Sequence, residues 1–201
     1  MKIKKLIKER EKFLLKNKTE IENWLNNNNI KKYIIHDNFD VSVIENNITI
    51  RDNTIEFLPI NFVGKIKYFS IYMTKLKILT GCPEEVDVFR CTHCHELSTL
   101  EGCPKKVKYF SISNCNNLSS LFGMPGKFEE FNCSHCYNLK KISLKFPKEF
   151  SELVLDHTNK KLEKFVNELI TLLYIRNNGR FFRKDDLLFD LIKKNSKFLE
   201  Q

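Results

Sequence analysis

A repeat of 21 residues runs through the middle of this 201-residue chain and limits the folds that it can adopt. Residues 79–100, 101–121 and 122–142 show it most clearly, in the pattern LxxLxLxxCxxLxxL. The shared positions include Gly81, Gly102 and Gly123; Phe89, Phe110 and Phe131; Cys94, Cys115 and Cys136; and Leu97, Leu118 and Leu139. A unit of this length cannot bury its own apolar face, so the repeat predicts a stack of coils that share one core.

Weaker copies of the unit extend the array in both directions. Ile48 and Ile50 mark one earlier unit, and Ile66, Phe69 and Ile71 mark the next. Residues 150–158 continue the array after a one-residue insertion, and the five prolines fall in connections between units. About six units therefore cover residues 48–162.

The pattern resembles the leucine-rich repeat family, in the variant with Cys, Asn or Thr at the ladder position. The resemblance covers more than half of the chain. It implies that LxxLxL forms a short parallel strand and that the following residues return along a convex side. We therefore expect an α/β leucine-rich repeat solenoid, with a curved parallel β-sheet of at least five strands built from short repeats. Small ladder side chains can bond or pack against the neighbouring coil, and they are Asn53, Thr74, Cys94, Cys115, Cys136 and Thr158.

Residues 20–62 resemble, more narrowly, the head of small leucine-rich repeat proteins of bacteriophages and other viruses. In those proteins a helix that ends in WL precedes a short polar strand and the first repeat. The resemblance rests on Trp24, Leu25, the Asp-rich turn and the phrase LxGCPxxV. It implies a viral origin, with the host cytoplasm or the virion as the location.

Helical patterns occur at both ends of the chain. Residues 19–22 form a capping box that starts a helix with Ile21, Trp24 and Leu25 on one face. Apolar residues recur at near-helical spacing over residues 6–15, 162–173 and 187–199. An open stack of coils needs covers, so we expect helical caps at residues 1–47, with a lead-in strand, and at 163–201. The alternative is a helix that docks a partner.

The net charge of +9 is concentrated at the two termini. Residues 1–20 carry eight Lys/Arg against three Asp/Glu, and residues 176–201 carry seven against four. Solvated faces of amphipathic helices account for this distribution, which argues against a nucleic-acid partner. The sequence contains no apolar run of the roughly 18 residues that a membrane span needs, and the N-terminus has no signal-peptide core. We expect a soluble cytoplasmic protein with no membrane partner.

Two CxxC pairs, Cys91 with Cys94 and Cys133 with Cys136, are typical of zinc sites. The repeat argues against zinc, because it places Cys91 and Cys133 at inward strand positions that other units fill with apolar residues. It also separates the two pairs by two coils, or about 10 Å, which is too far for one tetrahedral ion. We therefore expect buried thiols, no metal and no cofactor.

Cys82 and Cys103 occupy equivalent connections one coil apart, where their α-carbons could approach disulfide distance. The total of seven cysteines is odd, and an intracellular location keeps thiols reduced. Reduced thiols are therefore the favoured interpretation.

The strand positions between core residues are predicted to lie on the concave face, since strand side chains alternate. Tyr and Arg, the side chains that commonly anchor protein interfaces, are prominent there, with acidic residues in the later coils. The predicted binding residues are Lys67, Tyr68, Tyr72, Arg90, His93, Lys108, Tyr109 and His135. A column of Met73, His93, Asn114, His135 and His157 is either ordinary surface or a site for a metal or a pH-sensitive partner.

The sequence shows no nucleophile–base pair, phosphate loop or paired-carboxylate pocket. We therefore expect a non-enzymatic module that binds a host or viral protein through its concave face. A structural component of a virus particle is the first alternative, and nucleic-acid binding through the basic termini is the second.

Overall fold

The computed structural model describes residues 2–143, 152–155, 158, 160–177 and 193–200. Three helices are named in this part of the chain: α1 (Lys2–Glu11), α2 (Lys18–Asn27) and α3 (Lys160–Asn177). The strands are β1 (Tyr33–Ile35), β2 (Val41–Val43), β3 (Asn47–Ile50), β4 (Phe62–Val63), β5 (Lys65–Tyr72), β6 (Glu85–Thr92), β7 (Lys106–Ser113), β8 (Glu130–Asn132), β9 (Ile142–Ser143), β10 (Glu152–Val154) and β11 (Leu199–Glu200).

The main sheet has six strands in the order β10–β8–β7–β6–β5–β3, and every neighbouring pair in it is parallel. Equivalent repeat positions lie side by side, so Phe89 pairs with Phe69 on one strand and with Phe110 on the other. The chain is therefore a β-solenoid in which each coil contributes one strand. The predicted parallel sheet of at least five strands is confirmed.

Backbone hydrogen bonds also join the return segments of successive coils. Leu79 donates its N–H to the carbonyl of Glu101 at 2.9 Å, and Leu121 donates to Lys141 at 3.0 Å. Polar backbone groups need such partners wherever water is excluded. Each coil is thus bonded to the next one on two sides.

A column of phenylalanines fills the interior behind the sheet. The ring centroids of Phe69 and Phe89 are 6.1 Å apart, those of Phe89 and Phe110 are 5.5 Å apart, and those of Phe110 and Phe131 are 5.3 Å apart. Phe62 meets the first ring edge-on at 5.1 Å. Such pairs contribute about 0.5–1.5 kcal/mol each beyond the area that they bury, so this column joins the coils side chain to side chain.

The ladder cysteines bond across coils. The Cys115 thiol donates to the carbonyl of Cys91 at 3.6 Å, and the Cys136 thiol donates to the carbonyl of Ile112 at 3.5 Å. Cys94 lies 3.3 Å from the Thr74 hydroxyl. The prediction that ladder side chains bond to the neighbouring coil is confirmed at these positions.

The N-terminal region contains a second sheet, in the order β1–β2–β4. β1 and β2 form an antiparallel hairpin, and β2 runs parallel to β4. A single lead-in strand was predicted here, so the hairpin is a difference from expectation. The capping box is misplaced as well, because α2 starts at Lys18 and its cap is Asn17, whose side chain accepts from the Thr19 N–H at 2.8 Å.

Arg10 is buried, although the sequence places it on the solvated face of a basic helix. Its Nε donates to the Leu58 carbonyl at 3.0 Å, and its Nη2 donates to the Ile60 carbonyl at 2.8 Å and to Asn61 Oδ1 at 2.7 Å. Only 5% of the residue is exposed. The guanidinium therefore fixes α1 to the chain entering β4.

At the other end, α3 buries Leu162, Phe165 and Val166 in the same apolar cluster as the coils. Phe198, predicted to be helical, lies in a 3₁₀ turn over Ser196–Phe198, and Leu199 lies in β11, which pairs with β9. The predicted final helix is wrong at Leu199, which pairs with a coil instead, whereas Phe198 lies in a short 3₁₀ helix. Residues 187, 188, 191 and 192 of that prediction lie outside the described residues.

We expect Gly102→Ala to destabilise the protein by at least about 2 kcal/mol. Gly102 has φ +82°, and a Cβ there would overlap the backbone of Thr80 and lie 2.7 Å from the carbonyl carbon of Leu79. Gly64→Ala is the matched control, since Gly64 has a similar φ of +84° but its Cβ would meet no atom within 4 Å. Urea unfolding followed by circular dichroism measures both variants, and equal effects would contradict close contact between coils.

Candidate functional site

The outward side chains of the main sheet form three rows, which we call the open face. Phe69, Ile71 and Phe89 point into the core, so the residues between them point outward. The first row is Asn47, Tyr68, Val88, Tyr109 and Glu130. The second is Thr49, Ser70, Arg90, Ser111 and Asn132. The third is Tyr72, Thr92 and Ser113, and Arg51 follows Ile50 beside its start.

Two arginines of the open face lie over tyrosine rings. The guanidinium carbon of Arg90 is 5.7 Å from the centroid of Tyr68, and that of Arg51 is 5.4 Å from the centroid of Tyr72. Tyr72 also contacts His93 edge-on, with ring centroids 5.4 Å apart. The structure therefore brings four of the predicted site residues into two contacting pairs on neighbouring strands, Arg90 with Tyr68 and Tyr72 with His93.

Arg51 is not among the predicted site residues. It follows Ile50 as Tyr72 follows Ile71, and this equivalence is the signal that could have placed it on the open face. The first coil is the weakest copy of the repeat, so the predicted face began one coil too late.

A hollow of about 520 Å³ lies on the later part of the open face. It brings Arg90 and Tyr109 together with positions outside the predicted site. Those positions are Val88, Thr92, Phe110, Ser111, Ser113, Glu130, Phe131, Asn132 and Val154. One cation, one carboxylate and several hydroxyls around apolar side chains suit recognition of an extended segment.

Lysines and carboxylates of successive coils pair along one margin of the sheet. Lys65 lies 3.2 Å from Glu85 and 3.5 Å from Asp87, and Lys108 lies 4.0 Å from Asp87. The hydrogen bond from Lys65 is the main reason that the pKa of Glu85 is lowered, and the same bond raises the pKa of Lys65. The predicted binding residue Lys108 thus has an internal partner, whereas Lys67 is exposed without an ion pair among the described residues.

The predicted column beside the open face has a backbone cause. Met73, His93, Asn114 and His135 have φ values of 55°, 58°, 56° and 59°. In this left-handed conformation the first three directly follow β5, β6 and β7, and their N–H groups donate to a carbonyl of the next coil at 3.1 Å. Asn and His tolerate the conformation better than most residues do. The turn thus accounts for the residue types in this column, of which His157 lies outside the described residues.

All seven cysteines are free and buried. Cys91 and Cys133 are inward strand residues with no exposed surface. Burial is the main cause that raises the pKa of Cys82 and of Cys103, so both thiols stay protonated at neutral pH. The described part of the chain contains no group of three or more His, Cys, Asp or Glu side chains that could hold a metal ion.

Comparisons with protein-family models, with curated proteins and with solved structures give no match for this chain. Within the described residues, the helices are all too short or too polar to cross a bilayer. The function of the site must therefore be inferred from the geometry of its residues.

We expect Met73→Asn to stabilise the protein by up to about 1 kcal/mol, because asparagine adopts the left-handed conformation at lower cost. Met73 is 55% exposed, so little packing is lost. Tyr137→Asn is the control: Tyr137 is 60% exposed but is not among the residues with positive φ. Thermal unfolding distinguishes the two, and a destabilising effect at Met73 would show that its thioether matters more than its backbone.

We expect elemental analysis of protein purified without added metal to give well under one zinc ion per chain. A chelator should leave the melting temperature unchanged, since no folding energy comes from metal binding. Stoichiometric zinc that disappears on replacing Cys91 and Cys133 with Ala would overturn this expectation.

Proposed function

We propose that this chain is a non-enzymatic protein-binding module of the leucine-rich repeat type, and that the open face is its concave binding surface. The observation that carries the proposal is the continuity of Tyr68, Tyr72, Arg90 and Tyr109 across three coils in parallel register. Tyrosine and arginine are the side chains that most often anchor protein interfaces.

The core does not need these four side chains. Tyr109 is 41% exposed, Arg90 is also exposed and Tyr68 and Tyr72 are half-buried, while a column of phenylalanines fills the interior. Polar or aromatic residues held at the surface of a regular sheet without a structural task favour recognition as their role. The hollow is lined by residues of all three rows, so a segment that lies across the face would also contact it.

The repeat type and the caps belong to the same proposal. The 21-residue displacement between β6 and β7 and the thiol–carbonyl bonds of Cys115 and Cys136 support a leucine-rich repeat. The apolar residues that α2 and α3 contribute to the core cluster support caps at the two ends. The resemblance to viral repeat proteins makes a host or viral protein, met in the host cytoplasm, the partner class that we propose.

We expect the combined change Tyr72→Ala and Arg90→Ala to weaken partner binding by about 30-fold or more, because loss of an anchor commonly costs over 2 kcal/mol. The partner is first isolated by pull-down with the unchanged chain, and its dissociation constant is then measured. The melting temperature should change little, as for other surface positions. Tyr137→Ala removes an exposed tyrosine outside the three rows and should leave binding unchanged.

Binding that survives in the folded double variant would contradict the proposal. The surface to examine would then be the hollow of about 210 Å³ between α3 and the following turn, where Lys164, Lys194 and Lys197 surround Phe165 and Phe198. Retention on nucleic acid that falls steeply with salt would favour the nucleic-acid alternative. Self-assembly of the pure chain would favour a structural component.

A further inference from the structure

The cations of the coils fall into two groups according to their partners. Several lysines face a carboxylate on the next coil, in the pairs Lys65–Glu85, Lys77–Glu56, Lys105–Glu84, Lys106–Glu85 and Lys108–Asp87. Arg51 and Arg90 are exposed on the open face, and neither forms an ion pair with any described residue. Within the described residues, the array therefore supplies paired carboxylates at its margins but none that forms an ion pair with either arginine.

Each of these arginines is already oriented. Arg90 lies over Tyr68 and Arg51 lies over Tyr72, at 5.7 and 5.4 Å from the ring centroids. Stacking on an aromatic ring restricts the guanidinium plane and leaves its edge donors available, and that planar fork matches a carboxylate. Ser111 flanks Arg90 in the same row and adds a hydroxyl donor. The two cations are thus prepared for anions that the described chain does not supply.

The spacing of the arginines defines the ligand further. Arg51 follows β3 and Arg90 lies in β6, with β5 between them. The two arginines are separated by two strand spacings across the sheet and by two residues along the strand direction. Together these displacements place their backbones about 12 Å apart. In an extended segment, side chains at positions i and i+4 share one face and lie about 13 Å apart. Two acidic residues with this spacing can therefore reach both arginines at once.

We propose that the open face binds an extended acidic segment of a protein partner, with one carboxylate on Arg51 and a second, four residues away, on Arg90. This inference rests on the function proposed above and names the chemistry of the partner. Tyr72 lies on the strand between the two cations and contacts an apolar side chain that stands between the two acidic residues of the segment. Glu130 on the far side of the face repels the acidic end, so that end lies over β3 to β6.

The test is a selection of random 12-residue peptides displayed on phage against the folded full-length chain. The selected peptides should share two Asp or Glu residues separated by three positions, with an aromatic or aliphatic residue between them. A synthetic peptide with the selected sequence is then used to measure binding. The Arg51→Gln and Arg90→Gln variants of the protein should each bind this peptide about tenfold more weakly, as for loss of a charge-assisted hydrogen-bonded pair. Arg51→Lys should recover only part of this loss, because lysine keeps the charge without the planar fork.

A double-mutant cycle assigns each contact. Replacing the first acidic residue of the peptide with Gln should weaken its binding to the unchanged protein. The same replacement should not weaken binding to whichever arginine variant has already lost the partner of that residue. Lys194→Gln with Lys197→Gln is the control for general attraction to positive charge, and it should leave peptide binding unchanged.

The possible failures are distinguishable. Selected peptides that require Tyr72 and Arg90 but share no pair of acidic residues would overturn this inference and leave the proposed function standing. Acidic peptides that lose affinity with the lysine control rather than with the arginine variants would overturn it too. If no peptide depends on any open-face residue, both the inference and the proposed function are wrong.

Discussion

The parallel hydrogen bonding between equivalent backbone positions is the constraint on which the rest of this structure depends. It requires each coil to return to the same place relative to its neighbour, at a spacing of about 4.8 Å. Gly102 can approach the backbone of Thr80 only because it has no side chain, and the phenylalanine rings meet at 5.3–6.1 Å because their strands are that close. The number of residues in a coil varies. Lys65 pairs with Glu85, 20 residues later, whereas Glu130 pairs with Glu152, 22 residues later.

Much of the sheet could be predicted from the sequence because both of its signals are local. A period of two within each strand identifies the inward and outward residues, and the 21-residue repeat, with a shift of one residue at some coils, sets their register. Tyr68, Tyr72, Arg90 and Tyr109 were placed in neighbouring positions on that basis, and the structure has them there. These positions can therefore be predicted without knowing any contact between distant parts of the chain.

The features that were not predicted depend on contacts between distant parts of the chain. Arg10 bonds to carbonyls 48 and 50 residues away, and a run of Lys and Glu gives no signal that one cation is enclosed. Leu199 joins a strand because Ile142 offers it an edge, although its own neighbours suggest a helix. The histidine column has a local cause, because a left-handed turn favours Asn and His at the same position of each coil. His93 and His135 share a left-handed turn with Met73, which has no comparable chemistry.

The ion pairs along the margin also determine which coil stacks on which. Lys65, Glu85 and Lys106 lie in register on three successive strands, so the sign of the charge alternates from coil to coil. Repeated units that look alike invite a folding error in which one coil is skipped and the next takes its place. Here that error would set Lys106 directly against Lys65, and two like charges would meet where the correct order gives attraction. The alternation over β5, β6 and β7 therefore disfavours this misassembly and favours the native order of these three coils.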